Sequence, residues 1–320
     1  GFQVAVSGGG DPGRARAIRD AISDLLATGR LPLRRTRSPG SRRARADRVG
    51  SNPTGSGRTP SRPDAIRGRV VLVGGGPGDP GLLTVSGRQC LARADVVVTD
   101  RLGPTSVLAE LDAGVEIIDV GKTAGHHPIP QHEINAILVE RARAGRIVVR
   151  LKGGDPFVLG RGGEEALHCV SHGVPVEVVP GVTSAVSVPA AAGIPVTHRG
   201  ITTSVVIASA HAGAGQCLDA ARTAPRDATL VLLMGLAGLA GTAEDLIAAG
   251  RDPGTPVAVI SDGWTPRQRT VTGTLASIAG AVAAAALPGP AVIVVGPVVG
   301  LRAELGDLVG VPRVEIAQAG

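Results

Sequence analysis

Val70-Val71-Leu72-Val73-Gly74-Gly75-Gly76-Pro77-Gly78-Asp79-Pro80-Gly81-Leu82-Leu83-Thr84 is the stretch on which the reading of the fold turns. A short apolar run stops at three consecutive glycines, and a helix-compatible segment, 82–94, follows. That order marks the first strand-to-helix connection of an α/β domain. Glycines there let the backbone turn tightly and approach a ligand closely, because no Cβ stands in the way. Gly76-x-Gly78-x-x-Gly81 fits the dinucleotide fingerprint, and Asp100 follows at about the 20-residue distance of a ribose-binding acid. Three residues count against phosphate. Pro77 and Pro80 have no N–H to offer. Asp79 sets a negative charge where a pyrophosphate needs a positive helix end. The spacing leaves a dinucleotide open, but the loop is better suited to a ligand without phosphate.

The pattern continues outward from that loop. Apolar, strand-like runs at 69–73, 95–99, 115–120, 146–151 and 175–179 alternate with helical stretches at 82–94, 104–111, 131–144, 161–172 and 183–192. Such alternation predicts an α/β fold with a mainly parallel sheet flanked by helices, its ligand at the carboxyl ends of the strands. From about 203 the chain repeats the style, with strands at 203–209, 228–233, 256–261 and 291–295 and helices near 216–222, 236–248 and 275–285. Residues 270–274 read as a further, antiparallel strand. Residues 195–200 look like the hinge between two lobes, and a cleft between lobes is a common place for a small-molecule site.

Bulk properties bound the rest. Two Phe, one Trp and no Tyr leave a core of Val, Leu, Ile and Ala, and no aromatic platform for stacking nucleic-acid bases. The net charge of +6 is misleading: residues 1–67 hold 14 Arg against five acids, while the remainder holds 19 basic and 22 acidic side chains. The basic character belongs to the amino-terminal segment, which reads as a solvated Arg/Pro/Ser-rich linker over 36–67. Cys90, Cys169 and Cys217 are scattered and odd in number, as expected of reduced thiols in a cytoplasmic protein. No long apolar run suits a membrane span, and no secretory signal is recognisable.

Three later runs bring chemistry to the same sheet edge. Lys152-Gly153-Gly154-Asp155-Pro156-Phe157-Val158-Leu159-Gly160-Arg161-Gly162-Gly163-Glu164-Glu165 follows a strand and presents carbonyls and a carboxylate, which suit a cationic or hydroxyl-bearing ligand. By itself it is equally a tight turn with a helix cap. Val179-Pro180-Gly181-Val182-Thr183-Ser184-Ala185 alone is an N-cap. Met234, after Leu232-Leu233, alone is core filler. Asp100 and Lys122 end two strands, and an acid and an amine there could exchange protons with a substrate or simply form a surface ion pair. His126, His127 and His132 cluster without a second ligand set, and His168 and His172 lack the acid of a metalloprotease motif, so no metal is expected. Serine-hydrolase, Walker-type and catalytic-cysteine motifs are absent from the sequence.

Taken in order, these runs resemble the tetrapyrrole methylase family over about 68–302. The match continues through Thr99-Asp100-Arg101-Leu102, Val120-Gly121-Lys122, Gly193-Ile194-Pro195-Val196-Thr197-His198-Arg199 and Met234-Gly235-Leu236. The Gly153-Gly154-Asp155-Pro156-Phe157 and Thr197-His198-Arg199 pieces resemble its uroporphyrinogen-III C-methyltransferase branch. The resemblance implies a two-lobed fold, 68–200 and 201–312, working as a homodimer without nucleic acid or membrane. It implies S-adenosyl-L-methionine as cofactor, held by Pro77, Gly153, Gly154, Asp155, Val158, Thr183, Ser184, Met234 and Gly263. Asp100 falls on the family's proposed proton acceptor and Lys122 on its proton donor.

The implied reaction is methylation of uroporphyrinogen III at C2 and C7, giving precorrin-2 for sirohaem and cobalamin. The open alternatives are another corrin-pathway methyltransferase and a non-catalytic nucleotide-binding module. The substrate is a polycarboxylate, and charge makes Arg101, Arg150, Arg161 and Arg199 its expected partners. The chain departs from the family's usual residues at Thr99 and Leu233, where Tyr is common, and at Ser261-Asp262-Gly263, where Glu-Asn-Gly is usual. Residues 2–35 resemble a remnant of the precorrin-2 dehydrogenase/ferrochelatase module of sirohaem synthase. The nicotinamide-binding half of that module is not among these residues, so no dehydrogenase activity is expected.

Overall fold

The computed structural model describes residues 68–100, 102–121, 129–211, 219 and 222–308, with Asp20 and Ile22. Apart from those two residues, the expected remnant and linker lie outside the described residues, as do Arg101, Lys122, His126, His127 and Cys217.

Five strands form the first sheet: β1 (Arg69–Gly74), β2 (Val96–Thr99), β3 (Glu116–Asp119), β4 (Ile147–Lys152) and β5 (Val176–Val179). Their order is β3-β2-β4-β1-β5, and every pair is parallel. The central strands must be apolar on both faces, because helices cover both sides of such a sheet. Val70 and Leu72 face one side, against Leu138 of helix α2 (Gln131–Arg143) and Cys169 of α3 (Gly162–Ser171). Val71 and Val73 face the other, against Leu83 and Leu91, the latter in α1 (Val85–Leu91). The expected helix at 82–94 begins three residues late, because Thr84 is its N-cap and accepts from the Gly87 N–H at 3.0 Å. The expected helix at 104–111 is a six-residue 3-10 turn, Thr105–Glu110, which has no side-chain cap and returns to extended backbone at Leu111.

The second sheet comprises β6 (Val205–Ser209), β7 (Thr229–Leu233), β8 (Pro256–Ser261), β9 (Arg269–Thr274) and β10 (Ala291–Val295), in the order β6-β7-β10-β8-β9. Here the repeat of style expected from the sequence stops. Only β6 and β7 are parallel; β10 runs antiparallel to both β7 and β8, and β9 antiparallel to β8. The β8–β9 connection is too short for a crossover helix, so it can only be a hairpin. Helices α5 (Leu239–Ala248), α6 (Ile278–Ala284) and α7 (Arg302–Leu305) also belong to this half, and the expected helix near 216–222 lies mostly outside the described residues.

The helix α4 (Ser184–Ala191) joins the two halves. It leaves the carboxyl edge of β5, yet Ala185 and Val188 pack with Val231, Ala258, Ile260 and Val292 of the second sheet. The second sheet is thereby held across the carboxyl edge of the first. Among the described residues, no helix is long and apolar enough to cross a membrane.

Candidate active site

Three glycine-containing loops meet at the carboxyl edge of the first sheet. The Gly75 N–H donates to Lys152 O at 2.7 Å, and Gly76 and Gly154 exchange backbone bonds of 3.1 and 2.7 Å. A Cβ on Gly74 would lie 2.4 Å from Gly181 N, and one on Gly181 would lie 2.3 Å from Gly154 O, so backbone packs directly on backbone. Asp79 caps the short turn that follows it, its side chain accepting from the Gly81 N–H at 2.7 Å. Gly75, Gly76 and Gly81 therefore spend their N–H groups within the protein, which removes most of the row of donors that a phosphate nest needs.

A cleft of about 850 Å³ opens between this edge and the second sheet. Of the residues expected at the cofactor, Pro77, Gly153, Gly154, Val158, Ser184, Met234 and Gly263 line it, as does Asp100. Asp155 and Thr183 do not. The Asp155 carboxylate accepts from Phe157 N at 2.8 Å and Gly181 N at 3.0 Å, so it staples two loops together. Thr183 is the N-cap of α4 and accepts from Ala185 N.

Met234 sits at φ +60°, with Leu159 (+54°), Arg161 (+58°), Asp262 (+48°) and Trp264 (+61°) also left-handed around the cleft. Trp264, missed in the sequence, lines the cleft from the β8–β9 loop and donates its indole N–H to Ser187 O of α4 at 2.7 Å. Its position as the chain's single Trp, next to the expected Gly263, was the available signal.

A buried charge network forms the floor. Arg150, on a central strand, is 3% exposed; its Nη2 donates to Asp100 Oδ2 at 3.0 Å and its Nε to Glu165 Oε1 at 3.1 Å. Lys152 Nζ reaches the same Glu165 oxygen at 2.9 Å, and Gln131 Nε2 reaches it at 3.2 Å. Burial, then the neighbouring Arg150 charge, lowers the Lys152 pKa below the usual lysine range, against the pull of Glu165. Asp100 Oδ1 accepts from Leu102 N at 3.1 Å, which fixes the carboxylate at the end of β2.

The arginines expected to meet a polycarboxylate substrate divide. Arg150 lines the cleft, but its guanidinium is shared between buried Glu165 and part-exposed Asp100. Arg161 stands at the cleft with an exposed side chain that forks onto Glu164 at 2.9 and 2.7 Å. Arg199 is exposed in the turn closed by the His198–Thr202 bridge and is not among the cleft residues. Arg267, which sequence reasoning did not single out, reaches the cleft from the second sheet and bonds Asp262 at 3.2 Å. Among the described residues no group of three or more metal-ligating side chains is gathered.

A parallel sheet whose carboxyl edge faces a second, mixed sheet across a glycine-walled cleft defines a class. Residues 69–279 match the family Tetrapyrrole (Corrin/Porphyrin) Methylases, and the chain belongs to it. Within the family, the chain is 48% identical over 243 residues to an S-adenosyl-L-methionine-dependent uroporphyrinogen III methyltransferase of Methanosarcina barkeri, covering 75% of this chain and 95% of that protein. It is 47% identical to siroheme synthase 1 of Klebsiella pneumoniae over 76% of this chain, and spans 52% of that longer protein. The structure of uroporphyrin-III C-methyltransferase from Thermus thermophilus, complexed with S-adenosyl homocysteine, is similar at a TM-score of 0.61 and 41% identity, over 73% of this chain and 100% of that one.

Proposed function

We propose that this chain is an S-adenosyl-L-methionine-dependent uroporphyrinogen-III C-methyltransferase, methylating C2 and C7 to give precorrin-2. The observation that carries the reading is the cleft floor, where Asp100, fixed by buried Arg150, opens into the space lined by Met234 and Gly263. The walls fit the cofactor. A Cβ on Gly78 would come within 3.3 Å of Thr265 Cγ2, so a side chain there would narrow the gap between the two halves. Asp79, Asp100 and Asp262 line the cleft beside Arg150, Lys152, Arg161 and Arg267, so the lining offers charges of both signs, as a cofactor and a polycarboxylate substrate sharing one cleft would need.

When bound, the cofactor supplies an electrophilic methyl group on a sulfonium sulfur. A pyrrole carbon is itself nucleophilic, so the protein's task is alignment and exclusion of water. Asp100 takes up the proton that the methylated ring sheds, and Lys122 is the proton donor. Arg161 holds a substrate carboxylate. Asp100→Asn should lower turnover roughly a hundred-fold while leaving S-adenosylhomocysteine binding intact; full turnover in that variant would remove the role. Arg161→Ala should raise the substrate KM.

The deciding experiment is incubation of the purified chain with uroporphyrinogen III and S-adenosyl-L-methionine, followed by absorbance of sirohydrochlorin-type or trimethylpyrrocorphin-like products. No absorbance change, with S-adenosylhomocysteine still bound in a calorimeter, would point to a different tetrapyrrole substrate. Preference for NAD in that calorimeter would point to a nucleotide-binding module. The family resemblance also supports a homodimer, read by light scattering, in the cytoplasm.

A further inference from the structure

Glu165 does not line the cleft, yet the buried charges at the cleft floor are held by it or by a group that it holds. Its side chain is 0% exposed, and one oxygen, Oε1, receives Arg150, Lys152 and Gln131. The other, Oε2, is buried with no hydrogen-bond partner. A buried carboxylate with one oxygen crowded and the other bare is a poor device for stability alone, since well-packed apolar side chains often replace buried ion pairs without loss.

What the arrangement does achieve is geometric. The Arg150 guanidinium is stretched between Glu165 and Asp100, with further bonds from Nη1 to Leu151 O at 2.9 Å and Val98 O at 3.4 Å. Its orientation toward Asp100 therefore depends on the pull from Glu165. The composition makes the same point for Lys152. The chain has 33 Lys plus Arg, and only Lys122 and Lys152 are lysines. An arginine-rich chain keeps a compact ammonium where two cations share one carboxylate oxygen, a task that suits a point charge with rotatable donors.

We infer that Glu165 is a positioning residue for methyl transfer: its charge fixes Arg150, and through it the Asp100 carboxylate, and seats the Lys152 ammonium at the cleft floor. The inference rests on the methyltransferase reading. The charged and titratable groups around Glu165 are Arg150 and Lys152 of β4, Asp100 after β2, and Arg161, Glu164 and Cys169 at α3.

The test is Glu165→Gln in the full chain, with turnover measured against pH and S-adenosylhomocysteine affinity measured separately. Without the second carboxylate, Arg150 and Lys152 face Asp100 alone. Turnover should fall roughly ten- to a hundred-fold, the acid limb of the kcat profile should move to lower pH, and S-adenosylhomocysteine affinity should stay within about two-fold of wild type. Glu165→Asp should return the limb toward its wild-type position. A folded Glu165→Gln enzyme with the wild-type profile overturns the inference. So does a loss of turnover matched by an equal loss of cofactor affinity with an unmoved limb. If Glu165→Gln does not fold, the pair Glu165→Gln with Lys152→Met removes both charges together. There the removed negative and positive charges offset each other, so the limb should stay near its wild-type position while turnover still falls roughly ten-fold with S-adenosylhomocysteine affinity held; wild-type turnover, or an equal loss of that affinity, refutes the inference. Wild-type turnover is the reference: its absence defeats the functional reading and this inference with it, whereas its presence beside an unaltered variant defeats this inference alone.

Discussion

A single methyl group at position 263 should test whether the second half of the chain shapes the cleft. Gly263 has an ordinary backbone conformation, so alanine there brings no φ penalty. Its Cβ would, however, lie 2.5 and 2.7 Å from the two Cγ atoms of Val188. Carbon atoms rest at about 3.5–4.0 Å, so something must move by roughly 1 Å. Val188 is 3% exposed, packed in the core that joins α4 to the second sheet, and β-branched in a helix, which leaves it one favoured rotamer. The β8–β9 loop must therefore lift, which strains the 2.7 Å bond from Trp264 to Ser187 O. Overpacking of this kind costs about 1–3 kcal/mol and the weakened hydrogen bond about 1 more. In a chain of this size that is a fall in Tm of roughly 5–12 °C.

Because Asp262, Trp264, Thr265 and Arg267 move with the loop, S-adenosylhomocysteine affinity should drop roughly ten- to a hundred-fold. The assay is built into the protein: Trp264 is the sole Trp in a chain without Tyr, and it lines the cleft, so its fluorescence reports binding directly. Val188→Ala removes both clashing methyls, and combined with Gly263→Ala it should bind the cofactor product more tightly than Gly263→Ala alone. Wild-type affinity and Tm in Gly263→Ala, or no recovery in the double variant, would refute the argument.

Asp155→Ala should lose two charge-assisted bonds to Phe157 N and Gly181 N, about 2–4 kcal/mol of stability, and weaken S-adenosylhomocysteine binding through the loops rather than by direct contact; Asp155→Asn should fall between, as read by urea melts. Burial, then the Glu165 charge, pushes the Cys169 thiol from 9.0 up to about 11. The unfolded chain thus releases its proton first, so this contribution to stability is complete below pH 9 and about 2–3 kcal/mol of it is lost as pH rises through 11. The lowered Lys152 works in the opposite sense, so the difference between wild type and Cys169→Ala across pH 9–11 isolates the thiol, and identical slopes would exclude it. Met234→Gly relieves a left-handed side-chain-bearing residue that is 52% exposed, so Tm should hold or rise while S-adenosylhomocysteine affinity falls; a clear loss of Tm would show that Met234 is a packing residue.

The first sheet was legible because doubly buried parallel strands write themselves as uninterrupted apolar runs, of which Val70-Val71-Leu72-Val73 is the plainest. The second was legible in its strands but not in their direction. The runs in β7, β8 and β10 are equally apolar whether paired parallel or antiparallel, and only the short β8–β9 connection carries directional information. In the site, the glycines could be read because only a missing Cβ permits the contacts at Gly74 and Gly181. Charged groups were less readable, since sequence shows a charge but not what it is spent on. The Asp155 carboxylate is spent on two backbone N–H groups, and Arg150 lines the cleft while shared between Glu165 and Asp100. Glu164 and Glu165 are neighbours of identical chemistry, yet the first is exposed and the second has no exposed surface. Helical phase separates them: Gly162, Glu165 and Cys169 occupy the buried face of α3 at spacings of three and four. That phase was readable, but a glutamate on an inward face contradicts the usual rule, and such contradictions mark sites more often than cores.

Backbone strain leads to the same place independently. Six described residues other than glycine have positive φ, and five of them, Leu159, Arg161, Met234, Asp262 and Trp264, line the cleft. A left-handed residue with a Cβ costs about 1–2 kcal/mol, and glycine at any of these positions would relieve it. The chain is rich in glycine, with 47 residues, and places it freely where backbones touch. Side chains have therefore been kept at five strained positions where glycine would relax the fold. The five come from three separate loops, on both sheets, so no single local sequence accounts for them. What they share is the space they face. Strain gathered around one cavity from three directions is what a preorganised binding site requires, because a loop held out of its relaxed conformation before the ligand arrives loses less freedom when it binds. The buried charges beneath the cleft and the strained residues around it are thus one arrangement: the core of α4 and the Glu165 network hold rigid what the loops, left alone, would let relax.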